Sequence, residues 1–218
     1  MTKIAVVLSG SGVFDGAEIH ESVLTLLALE RHGFDYQCFA PNIEQMHVIN
    51  HLTGDVAEGE SRNVLVESAR IARGNVKDLA EAKADDFDAA ILPGGFGAAK
   101  NLSDFAVKGS DCSVNPDLVN FIKGFAKDKK PVGFMCIAPA MLPHIYGEGI
   151  KLTIGTDQDT ADAIEAMGGV HQACPVDNIV VDAGNNLVTT PAYMLASSVS
   201  EAAKGIDKLV DKIADMLG

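Results

Sequence analysis

Short apolar runs alternate with amphipathic stretches along the whole chain, and each pattern predicts a different element. Ile4–Leu8 is an unbroken apolar run of strand length, followed by a glycine-rich turn. From Glu21 to His32 the apolar Val23, Leu24, Leu26, Leu27 and Ala28 fall at helical spacing, and Gly33 stops the helix. Phe34–Ala40 predicts a second strand, ended by Pro41. Residues 42–60 are polar, carry Gly54 and Gly59, and suggest an inserted loop or hairpin. Ser61–Arg73 predicts a helix with Ser61 as its N-cap. Phe87–Leu92 is a third strand, residues 103–114 a polar loop, and Pro116–Ala126 a helix with Lys127–Lys130 at its dipole-favoured basic end. Pro131–Met135 is a fourth strand and Pro139–Tyr146 a short helix. Asp157–Met167 predicts a helix closed by Gly168-Gly169. Ile179–Asp182 and Leu187–Thr190 flank a hairpin turn at residues 183–186, and Ala192–Leu217 a long terminal helix.

The strands lack strict polar alternation and are separated by helices. That is the signature of a mostly parallel sheet buried on both faces, an α/β three-layer sandwich. With 218 residues, and no repeat or linker, one domain over 1–218 with an insertion near 42–60 is the expected organisation.

Composition removes several classes of function. The chain holds 17 Lys+Arg against 30 Asp+Glu, a net charge of −13, and no basic run longer than Lys129-Lys130 outside that helix end. Such a field repels phosphate backbones and anionic lipid, so neither nucleic acid nor a membrane surface is an expected partner. The first apolar run is too short for a signal-peptide core, and no stretch approaches the roughly 18 apolar residues of a membrane span. Cys38, Cys112, Cys136 and Cys174 are scattered, without the close Cys/His spacing that zinc needs. Free, scattered cysteines suit a reducing compartment, and the cytoplasm is the expected one.

Three segments could carry chemistry. In Pro131-Val132-Gly133-Phe134-Met135-Cys136-Ile137-Ala138-Pro139 a strand ends on a cysteine just before a proline suited to a helix start. A thiol on such a turn, near a helix N-terminus, is expected to have a lowered pKa and to act as a nucleophile. Leu92-Pro93-Gly94-Gly95-Phe96-Gly97 follows another strand, and its glycines let backbone N–H groups approach a ligand as an oxyanion hole would. Glu21 lies near the start of the first helix, where an acid could exchange a proton with the thiol; Glu18 is its rival on spacing alone, and His20 is the best placed of the histidines. All three turns belong to the carboxyl edge of the sheet. The Gly10–Gly16 stretch fails as a dinucleotide fingerprint: Asp15 stands where the third glycine would, and no acid follows strand two. No cofactor and no metal are therefore expected.

With Cys136, Gly94-Gly95, Glu21 and the Leu92-Pro93-Gly94-Gly95…Asn101-Leu102 element together, the sequence resembles the ThiJ/PfpI superfamily, relatives of the class I glutamine amidotransferases. Ser9–Glu21, the stretch 42–60 and Cys136-Ile137-Ala138-Pro139 are similar to its isoprenoid-biosynthesis glyoxalase branch. The resemblance covers nearly the whole chain. It implies a flavodoxin-like fold, Cys136 at a nucleophile elbow, and Glu21 rather than Glu18 as its acid. The peptidase-like members carry a histidine directly after the nucleophile, where this chain has Ile137, and the amidotransferases carry a late His-x-Glu pair that it lacks. Gly155 likewise follows Lys151-Leu152-Thr153-Ile154 where glyoxalase-like members often place a histidine.

The implied function is a glutathione-independent glyoxalase. Its Cys136 thiolate adds to glyoxal or methylglyoxal, the N–H groups of Gly95 and Ile137 hold the oxyanion, and Glu21 moves protons. Gly94 and His20 would be supporting residues, a small dicarbonyl the substrate, and a homodimer the assembly. The alternatives are a redox-responsive protein with an oxidisable Cys136, and a small-amide hydrolase.

Overall fold

The computed structural model describes residues 1–218. The elements follow in order: β1 (Lys3–Val7), α1 (Ile19–Arg31), β2 (Asp35–Ala40), α2 (Val64–Ile71), β3 (Val76–Asp78), β4 (Ala89–Leu92), α3 (Phe96–Lys100), α4 (Phe105–Lys108), α5 (Pro116–Lys127), β5 (Val132–Met135), α6 (Leu142–Tyr146), β6 (Lys151–Leu152), α7 (Gln158–Ala166), β7 (Val170–His171), β8 (Val180–Asp182), β9 (Leu187–Thr190) and α8 (Val199–Leu217). Seven strands form one sheet in the order β3-β2-β1-β4-β5-β9-β8, and β6 and β7 pair separately. Every pair in the large sheet is parallel except the β8–β9 hairpin at its edge.

Successive residues of a strand face opposite sides, and both sides are covered. Ile4, Val6, Ile91, Met135 and Val188 pack with Ala28 and Leu29 of α1 and with Ala202, Ile206, Leu209 and Ile213 of α8. Ala5, Val7, Leu92, Phe134 and Leu187 pack with Leu118, Phe121, Ile122 and Phe125 of α5. This is the flavodoxin-like sandwich, and it explains the unbroken apolar strands: a central parallel strand has no solvent side.

Several local expectations shift. The helix expected over Ser61–Arg73 is shorter, and Asn63, not Ser61, caps it by accepting from the Val66 N–H. The loop at 103–114 contains α4 and a 3₁₀ turn, held by an antiparallel bridge from Ser103 to Val114. β3, β6 and β7 have two or three residues each, too few for a periodic signal. The terminal helix does not start at Ala192. A 3₁₀ turn spans Ala192–Met194, and α8 begins only after Ser198, which caps it. The break arises because Ala192 sits at φ 44° and the Tyr193 N–H is committed elsewhere, to Glu21.

The segment 42–60 lies against the glycine-rich turn after β1. Ile49 and Val56 form an antiparallel bridge within it. Asp15 accepts from the Ile49 N–H at 2.8 Å. Buried Asn101 donates to the carbonyls of Ser9 and Asp15, both at 2.9 Å, and accepts from the Met46 N–H at 3.0 Å. One amide thus ties the β1 turn, the insertion and the end of α3 together. Asn101→Ala leaves three backbone groups without this partner. It is expected to cost about 3 kcal/mol and lower Tm by about 9 °C in a calorimetric scan.

Candidate active site

The central order β1-β4-β5-β9 brings the turns that leave four neighbouring strands to one edge. Glu21 follows β1, Gly94 and Gly95 follow β4, Cys136 follows β5, and Tyr193 follows β9. Open α/β sheets bind ligands at this edge.

Cys136 adopts φ 60°, a left-handed conformation strained for a side chain with a Cβ, and its N–H donates to the Thr190 carbonyl at 3.1 Å. This is the backbone geometry of a nucleophile elbow. Its sulfur faces the N–H groups of Gly95 and Ile137 and the carboxyl of Glu21. The neighbouring glycines are required by space. A Cβ on Gly94 would stand 2.3 Å from the Cys136 Cβ and 3.0 Å from Glu21 Oε2. Gly95, at φ 89°, would place one 2.4 Å from the Gly16 carbonyl oxygen.

Glu21 is fully buried. Its Oε2 accepts from the Gly94 N–H at 2.7 Å and its Oε1 from the Tyr193 N–H at 3.1 Å. Gly94 therefore positions the acid, and its N–H is not free for a substrate oxyanion. Glu18 takes a different part: its Oε2 caps α1 by accepting from the Glu21 N–H at 2.7 Å. The two carboxylates, rivals by spacing, are separated by geometry into a cap and a partner for the sulfur.

Burial, the Glu18 charge second to it, raises Glu21 to about 7 against the backbone donors that lower it. Burial and the adjacent Glu21 push the Cys136 thiol well above its ordinary range, while the Gly95 and Ile137 donors pull the other way. The lowered thiol pKa expected from a helix N-terminus is thus corrected. A four-residue 3₁₀ turn, Ala138–Met141, rather than an α-helix, comes next, and Cys136 is only 7% exposed. Two negative charges cannot share this space, so a thiolate forms only as Glu21 takes up a proton.

His20 does not join the sulfur. It is half exposed, 4.0 Å from Glu18 Oε1, and its Nδ1 is 2.9 Å from the Tyr193 hydroxyl. Tyr193 itself is a site residue that sequence reasoning missed, because its segment was read as helix. Pro191 directly after a buried strand is the only local sign. Above Cys136 lies a cavity of about 280 Å³, walled by Val13, Phe96, Ala99, Phe105, Ile137 and Met194, with Thr160 and Tyr193 as its polar side chains besides the thiol. A larger groove of about 360 Å³ beside α5 has no cysteine, serine or histidine in its lining and lies away from the Cys136 elbow.

A flavodoxin-like sheet with a cysteine elbow and a buried acid partner defines a class of α/β proteins related to the class I amidotransferases. Residues 7–196 match the DJ-1/PfpI family, and the chain belongs to it. It is 47% identical over 225 residues to the human "Glutamine amidotransferase-like class 1 domain-containing protein 3, mitochondrial", covering 99% of this chain and 84% of that protein. It is 35% identical over 209 residues to the zebrafish "ES1 protein, mitochondrial", covering 88% and 77%. Among solved structures, an isoprenoid biosynthesis protein with an amidotransferase-like domain from Ehrlichia chaffeensis superposes with a TM-score of 0.92 at 38% identity, over 100% of both chains. The expected cytoplasmic location is overturned by these relatives: the human, rat and zebrafish proteins are all named mitochondrial. Unpaired cysteines mark a reducing environment, and that property does not separate one such compartment from another.

No helix is long and apolar enough to cross a membrane. Because Glu21 binds its proton more tightly folded than unfolded, it makes stability fall as pH rises from 4.5 to about 7 and level off above. Glu21→Gln is expected to remove this slope, worth about 3 kcal/mol, in denaturant melts measured across that range.

Proposed function

We propose that the protein is a glutathione-independent glyoxalase that converts glyoxal, and methylglyoxal as a second substrate, to the 2-hydroxy acid. The observation that carries the proposal is a strained Cys136 facing two backbone donors and a proton-exchanging Glu21 on a small cavity free of charged side chains. Glu21 takes the thiol proton, and the sulfur adds to the aldehyde carbon C1. The Gly95 and Ile137 N–H groups hold the developing O1 oxyanion, which then takes the proton back from Glu21. The Glu21 carboxylate removes the C1 hydrogen to give an enediol and returns it to C2, leaving a thioester on Cys136. Water cleaves the S–C bond, releases the hydroxy acid and restores the thiol. A pKa of about 7 suits an acid that must both take and give a proton near neutrality.

A charge-free lining favours a neutral dicarbonyl over an amino-acid amide, which supports the glyoxalase over the amide hydrolase. The redox alternative needs an exposed thiolate, and burial of Cys136 gives it less support. Cys136→Ala is expected to abolish glyoxal turnover, and Glu21→Gln to lower kcat by about 10²-fold or more, in a stopped assay of glycolate. Full activity in Cys136→Ala would end the proposal.

The chain is further read as a homodimer. Ile19, Val23 and Leu27 stand in line on α1, each 39–49% exposed, an apolar stripe that a second copy would cover. A double change, Val23→Asp with Leu27→Asp, is expected to yield a monomer by light scattering without loss of fold.

A further inference from the structure

Enediol chemistry leaves one proton unassigned. When C1 loses its hydrogen and the C1=C2 bond forms, the electron pair of the C2 carbonyl moves onto O2, which must be protonated or strongly hydrogen-bonded. Glu21 cannot serve O2 at that instant, since it is taking the C1 proton. The Gly95 and Ile137 N–H groups face the sulfur, where O1 forms.

Tyr193 and Thr160 are the remaining polar side chains on the cavity, and only Tyr193 has a phenol that can give up a proton. The Tyr193 backbone N–H holds Glu21, its side chain borders the same cavity as Cys136, and its hydroxyl meets His20 Nδ1 at 2.9 Å. The two rings lie 5.7 Å apart between centroids, and His20 opens to solvent on its other side. The chain thus runs from solvent through an imidazole and a phenol into an otherwise apolar pocket.

Resting on the glyoxalase reading, we infer that the Tyr193 hydroxyl is the catalytic acid for the distal carbonyl oxygen O2, with His20 as the positioning residue that orients and recharges it. As Glu21 takes the C1 hydrogen, the phenol proton passes to O2. When Glu21 delivers its proton to C2, the O1–H bond breaks to form the thioester carbonyl. That proton returns to the phenolate oxygen directly or through His20. The phenol ends each cycle as it began, so no external acid or base is consumed. The charged groups facing the pair are Glu18 and Glu21. With burial, these carboxylates keep the Tyr193 hydroxyl protonated at rest, above its ordinary range.

Tyr193→Phe keeps the ring in the cavity wall and the N–H to Glu21, and removes only the acid. It is expected to lower kcat/KM for glyoxal and methylglyoxal about 10²-fold, mainly in kcat. His20→Gln should lower it about tenfold, in kcat with KM unchanged. Alkylation of Cys136 by iodoacetamide should stay within about twofold of wild type in both, because the dyad is intact. Wild-type kcat/KM in Tyr193→Phe at every pH overturns the inference. Loss of free thiol on mixing with glyoxal separates its failure from that of the glyoxalase reading. If the wild-type adduct forms but no hydroxy acid is released, the glyoxalase reading fails by itself. An adduct about tenfold weaker in Tyr193→Phe then still supports the phenol as donor to the carbonyl, and equal adduct affinity overturns it.

Discussion

A fully buried carboxyl group, between two backbone N–H donors and a sulfur, organises this molecule. Glu21 is the point at which the turns after β1, β4, β5 and β9 meet. Burial alone would make its charge very costly. The Gly94 and Tyr193 donors reduce that cost, and the remaining imbalance leaves an acid that exchanges its proton near neutrality. The surroundings are shaped to allow this. Gly94 lacks a Cβ because the Cys136 Cβ occupies that space, and Ala192 takes a left-handed conformation that ends the β9 segment in a turn.

Strain and electrostatics are coupled here. Cys136 holds a conformation that costs about 1–2 kcal/mol for a residue with a Cβ. It is anchored by its N–H on the Thr190 carbonyl of β9, the neighbouring strand. The sulfur and the acid resist ionising together, so the pair behaves as a unit that carries at most one negative charge. In such a unit reactivity follows substrate entry and proton position rather than a standing thiolate. The molecule's net charge of −13 fits this local arrangement. It does nothing to activate a thiol, and under the proposed glyoxalase reading it leaves a neutral dicarbonyl free to enter and repels a carboxylate product.

Much of this was legible in the chain. The apolar runs at β1, β4 and β5 announced a sheet buried on both faces because central parallel strands have no solvent side. Cys136 and Gly94-Gly95 were legible because each directly follows such a run, and a parallel sheet puts those ends on one edge. The pair Glu18 and Glu21 was legible as a pair but not in its roles. Three residues of helix separate a side chain that folds back onto its own N-terminus from one that reaches the next strand's turn. Ala192–Leu195 misled because alanine, tyrosine, methionine and leucine are all acceptable in a helix. Only the long-range bond from Tyr193 to Glu21 diverts that backbone.

The sequence by itself therefore determined the layered α/β architecture and the placement of Cys136 and Gly94-Gly95 at the ends of neighbouring strands, since these depend on hydrophobic periodicity and on which residue follows a strand. The tertiary structure decided the rest: which acid meets the sulfur, that the thiol is held up rather than down in pKa, and that the Tyr193 N–H reaches Glu21 while its hydroxyl meets His20. Those properties come from burial and from contacts across more than a hundred residues of chain, such as the Glu21–Tyr193 bond, and neither is written in local order.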